Sequence, residues 1–185
     1  MTTTLTQDIE TNRCPLPPSL ANWFDEPALI RLALDAVHET ESAATTAAGR
    51  PGEAAAGTEF RELLTLVTYC YATAVYGSRQ IEFEATRDEG IGYLCGRREL
   101  DGNAIRHFRR THREHIQHAL TRLLSRAWER RAASGWSLVS PEVNEAHLLA
   151  SLNLKTEIEP TERFALDAAQ RIRAAIQADS MALDD

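Results

Sequence analysis

The amino-acid sequence predicts an all-α fold, a multi-helix bundle. Alanine, leucine, arginine and glutamate are abundant, and these are residues with high helix propensity. Apolar residues recur at three- and four-residue steps in several segments, as helices with one buried face require. No stretch of useful length alternates apolar and polar residues as a half-buried strand would, and no internal repeat is present. The 185 residues suffice for one domain of ordinary size, and the 43% apolar content lies in the globular range. With aromatic residues at 6%, the core must be built mainly from Leu, Ile, Val and Ala.

Taken in order, residues 1–18 are polar and end in Cys14-Pro15-Leu16-Pro17-Pro18, which reads as a mobile arm. Ser19 caps a leading helix from about Leu20 to His38, with Trp23, Phe24, Leu29, Leu32, Leu34 and Val37 as a broad apolar stripe. Residues 39–57 are low in complexity, contain Pro51-Gly52, and read as a linker. Thr58 is a good N-cap for a helix from Glu59 to about Tyr76 that is apolar nearly all round, so it belongs at the centre of a helical core spanning 58–133. Gly77 ends that helix and Ser78 caps a short one from about Arg79 to Arg87. A further short turn at Ile91–Leu94 follows, and Gly96 and Gly102 bracket an arginine-bearing loop. Asp101 or Asn103 caps the longest element, a single basic helix from about Ala104 to Ala133. Residues 134–185 read as a helical extension, with Ser140-Pro141-Glu142 starting a short helix and Pro160-Thr161-Glu162 starting the last one.

Charge and length exclude several function classes. The longest apolar run, Leu63–Tyr76, suits a core helix better than a membrane span, and Met1–Glu10 has no secretory pattern, so a cytoplasmic protein without membrane contact is expected. Cys14, Cys70 and Cys95 are an odd count without metal-type spacing and read as reduced thiols. The net charge of −7 argues against nucleic-acid binding by the whole surface. The charge is uneven, however. Residues 97–131 hold ten arginines against Glu99, Asp101, Glu114 and Glu129, a local excess of +6 that leaves −13 on the rest.

That excess carries the binding chemistry. Guanidinium groups at Arg106, Arg110 and Arg113 fall on one flank of the expected helix and fit a phosphate backbone, with Arg109 beside them and Arg97 and Arg98 in the preceding loop. A short helix, a turn and a longer basic helix outline a helix-turn-helix-like centre, with Asn103 and Arg106 near the start of the reading helix. The opposing reading is a solvated face, or arginines paired with the acidic flanks inside the fold. Arg79 and Glu82 fit an ion pair. His112, His115 and His118 step by three and read as surface or core histidines, not metal ligands, and Tyr69, Tyr71 and Tyr76 read as core residues with their hydroxyls at the rim. No Gly-rich phosphate loop or nucleophile elbow is present, so no catalytic residue, metal or cofactor is expected.

Residues 58–118 resemble the N-terminal domain of bacterial insertion-sequence transposases, the helical domain that precedes a ribonuclease-H-like catalytic domain. The resemblance is carried by the apolar helix Leu63-Leu64-Thr65-Leu66-Val67-Thr68-Tyr69-Cys70-Tyr71, by Ser78-Arg79-Gln80-Ile81-Glu82, by the turn Tyr93-Leu94-Cys95-Gly96, and by Ala104-Ile105-Arg106-His107-Phe108-Arg109-Arg110-Thr111-His112. The chain departs from the family at Leu100-Asp101-Gly102-Asn103, and no strand with a catalytic aspartate follows the basic helix. The resemblance therefore implies a recognition part without the chemistry part. Three functions are compatible: a non-enzymatic DNA-binding module with an end-recognition or regulatory role, a helical protein–protein adaptor or homo-oligomeric subunit that kept the scaffold and lost DNA contact, or the DNA-binding piece of a split transposase.

Overall fold

The computed structural model describes residues 17–48, 57–96, 99–134 and 160–182, and every regular element among them is helical. A 3-10 turn at Leu20–Asn22 is capped by the Ser19 hydroxyl. Seven α-helices follow: α1 (Glu26–Ala48), α2 (Thr58–Ala72), α3 (Ser78–Ala85), α4 (Glu89–Leu94), α5 (Gly102–Thr111), α6 (Arg113–Ala133) and α7 (Pro160–Met181). The expected short helix after Pro141, and residues 1–16 of the expected arm, lie outside the described residues.

Several boundaries differ from the sequence expectation, each for a local reason. The leading element is a 3-10 turn and then α1, which runs ten residues beyond His38 into the expected linker. That stretch is rich in Ala and Glu and meets no Gly or Pro until Gly49. Thr40 is buried there, and its hydroxyl donates to the Ala36 carbonyl four residues back. Thr58 lies inside α2, whose N-cap is Gly57. α2 stops at Ala72 rather than Tyr76, because Ala74 adopts a left-handed φ of 66°. At that end Arg171 of α7 donates to the Tyr71 and Ala72 carbonyls, and also to the Pro17 and Pro18 carbonyls. The last two residues of the expected arm are thereby pinned.

The expected single basic helix is two helices. His112, at φ −119° and ψ 31°, ends α5 and precedes α6. Nothing in the 3.6-residue pattern marks that break, because the apolar stripe continues on both sides of it.

α2 is the buried centre, with every residue from Leu64 to Ala72 inside. α6 packs against α1, α2 and α7, and α3 packs against α5 and α4. The core is largely aliphatic, as the composition requires: Leu29, Leu32, Leu64, Leu66, Ile81, Ile105, Ile116, Leu120, Leu123 and Leu124 are almost fully enclosed.

Candidate functional site

The seven arginine and asparagine positions singled out in the sequence do not form one surface. Arg97 and Arg98 lie outside the described residues. Asn103, Arg110 and Arg113 are exposed, and neither arginine pairs with a described carboxylate. Arg109 is buried, at 5% exposure, and is not available to a phosphate. Arg106 is largely covered and faces Asp179. The reason is periodicity. Gly102, Ile105, Phe108 and Arg109 are the buried positions of α5, with Arg109 four residues on from Ile105, whereas Asn103, His107, Arg110 and Thr111 form the outward stripe. The inward position of Arg109 was readable from its spacing to Ile105. Its burial partner was not.

That partner is Asp179 on α7, which lacked any sequence signal because it sits among the polar residues of a helix end. Its Oδ2 accepts from Arg109 Nη2 at 2.7 Å and from the Ser78 hydroxyl at 2.6 Å, and its Oδ1 accepts from the Ser78 backbone N–H at 2.7 Å. Arg106 Nε stands 3.6 Å from the same carboxylate and has no hydrogen-bond partner. Gly77 offers α3 no side-chain cap, so Asp179 of a distant helix caps it instead. Arg109 also donates to the Ala175 carbonyl at 3.0 Å and to the Tyr71 hydroxyl at 3.4 Å. One carboxylate thus ties α7 to both α3 and α5.

The titration directions follow from these contacts. Burial acts to raise the Asp179 pKa, but the two Ser78 hydrogen bonds and Arg109 outweigh it and hold the carboxyl below its ordinary value. Burial pushes the Tyr71 hydroxyl up to about 12, against the opposing pull of Arg109. Tyr71 is fully enclosed, not at the rim. Burial likewise pushes the Cys70 thiol up, and Cys70 and Cys95 are both buried and outside any disulfide.

Three further arginines of the basic segment face the acids of α1. Arg122 pairs with Glu39 at 3.3 Å, Arg126 with Glu39 and with Asp35, and Arg130 with Asp35 at 3.8 Å. Elsewhere Arg61 pairs with Glu41 at 2.8 Å, and buried Arg171 with Asp167 at 2.6 Å. Arg79 makes no ion pair with Glu82. The Glu82 carboxylate instead accepts from the Gly102 N–H at 3.1 Å, holding the start of α5 against α3.

Among the described residues, two aromatic side chains stand out into solvent, Phe83 at 53% and Tyr93 at 67% exposure. The Arg87 guanidinium lies 4.9 Å above the Phe83 ring. Among the described residues no group of three or more His, Cys, Asp or Glu side chains is placed to hold a metal ion, and no helix is long and apolar enough to cross a membrane. No family model, curated protein or solved structure matches the chain.

Proposed function

We propose that this chain is a non-enzymatic helical scaffold that acts by binding another protein. The observation that carries the reading is the fate of the basic segment: Arg106, Arg109, Arg122, Arg126 and Arg130 all face carboxylates of the same chain. A polyanion-binding surface needs guanidinium groups turned outward. Here five of them join α6 to α1 and α5 to α7. What remains on the surface suits a protein partner better. Phe83, Tyr93, Arg79 and Arg87 are exposed on α3, α4 and the turn between them. Aromatic residues and arginine are the types that dominate the energetics of protein interfaces.

The experiment is purification of the tagged full-length chain beside Phe83→Ala and Tyr93→Ala variants. A defined polypeptide should accompany the wild type in fixed stoichiometry and be lost or strongly reduced with at least one variant, while both variants keep the wild-type melting temperature. A chain that stays free of protein, or retains its partner in both variants, contradicts this reading.

A second reading, a DNA-binding module of transposase type, is favoured by one observation. Asn103 and Arg110 share the outward stripe of α5, and Arg113 is exposed at the start of α6. These three residues would be its contacts, with Arg97 and Arg98 in the preceding loop.

A further inference from the structure

The bend between α5 and α6 is one residue wide, and that residue is His112. Its ring centroid lies 4.7 Å from Phe108 on α5, 4.9 Å from Phe60 in the first turn of α2, and 5.9 Å from His115 on α6. Phe60 in turn meets Phe108 and His115, each at 5.5 Å. Four rings from three helices therefore close around the bend, and two of them are imidazoles.

We propose that His112 is a proton-controlled joint: the neutral ring holds α5, α6 and the start of α2 in one cluster, and the protonated ring leaves it, freeing Phe60 and loosening the α5–α6 bend at Thr111–Arg113 while α5 stays held to α3 and α7.

The charged surroundings support this sign. Burial of the ring and the charges of His115 and His107 oppose protonation of His112, in that order, and its pKa is lowered. The carboxylates of the packed helices do not offset them. On α2, Glu59 is exposed, Arg61 is held by Glu41, and Glu62 reaches toward Gly96. On α5, Arg106 and Arg109 face Asp179, and Arg110 is exposed. On α6, Arg113 and Glu114 are exposed. A phenyl face attracts a cation, so Phe60 and Phe108 act in the opposite sense, and the net direction is set by burial and the neighbouring imidazoles. Because the folded value lies below the ordinary one, the stabilisation by neutral His112 is complete above pH 6.5 and is lost as pH falls through and below that value.

The test is an NMR titration of the full-length protein from pH 8 to pH 5. It follows the His112 imidazole, the Phe60 ring and the amides of Thr111–Arg113. The three sets should shift together with one midpoint. His112→Asn, which tolerates a non-helical cap position, should lose the Phe60 and amide shifts, and His115→Gln should move the midpoint upward. Phe60 and amide signals that stay fixed across the titration overturn the proposal, as does a titration that survives unchanged in His112→Asn. Should His112→Asn prove unfolded at pH 8, the His115→Gln midpoint decides: an upward shift supports the joint, and an unmoved midpoint overturns it.

Discussion

Asp179 is the residue on which three helices depend, and its removal leaves Arg109 buried without a counter-charge. Breaking a buried pair from one side costs about 3–5 kcal/mol. Arg109 keeps the Ala175 carbonyl and the Tyr71 hydroxyl, so Asp179→Ala should cost about 3 kcal/mol, read as a lower urea midpoint. The Ser78 N–H also loses its acceptor in that variant. Asp179 has a folded pKa below its ordinary value of 3.8. Its contribution is therefore complete above about pH 4 and is lost as pH falls through the folded value. Acid unfolding followed by circular dichroism should show a transition in that window that is weakened in Asp179→Asn. Ala74 offers a prediction of the opposite sign. Its φ of 66° strains a residue with a Cβ, and Ala74→Gly should raise stability by about 0.5 kcal/mol once the added freedom of the unfolded chain is subtracted. At this scale the sequence shows that Arg109 shares the face of Ile105 and Phe108. It does not show Asp179, because a contact between residues 70 positions apart leaves no local pattern.

At the scale of elements, periodicity located most of the described helices. Of the expected caps, Asp101 holds at α5, while Thr58 and Ser78 lie inside the helices they were expected to cap, and Asp88 at α4 was not foreseen. Asp88 caps α4 by accepting from the Ile91 N–H at 2.8 Å, and Asp101 caps α5 by accepting from the Asn103 N–H at 2.9 Å. Asp88→Ala should cost about 1 kcal/mol, measurable as a lower thermal midpoint. Gly102 starts α5 in contact with α3. A Cβ there would stand 2.9 Å from Glu82 Oε2, so Gly102→Ala must displace the carboxylate that receives its own N–H. The ladder between α1 and α6 is of another kind. Its side chains are about a third or more exposed, so Arg126→Ala should cost no more than about 1 kcal/mol. The break at His112 escaped the sequence because helical periodicity runs through it. The extension of α1 escaped because an Ala-rich run of low complexity is as compatible with a helix as with a linker.

For the whole molecule, the all-helical bundle and its aliphatic core were legible from composition and periodicity alone. The placement of α7 was not, and it changes the functional reading. α7 contributes Phe164, Ala168, Ile172 and Ala175 to the core and supplies the carboxylate that engages Arg106 and Arg109. Five arginines of a segment that reads as basic in one dimension face three carboxylates of other helices, Asp35, Glu39 and Asp179, in three. On the scaffold reading, these five arginines serve contacts within the protein and not a polyanion. The most direct measurement is fluorescence anisotropy of a labelled DNA duplex titrated with wild type and with an Arg110→Ala, Arg113→Ala double variant, at salt concentrations of about 50 and about 200 mM. The scaffold account predicts that both proteins bind weakly and indistinguishably at either salt. Tight binding by the wild type that falls steeply with salt and is lost in the double variant would contradict it.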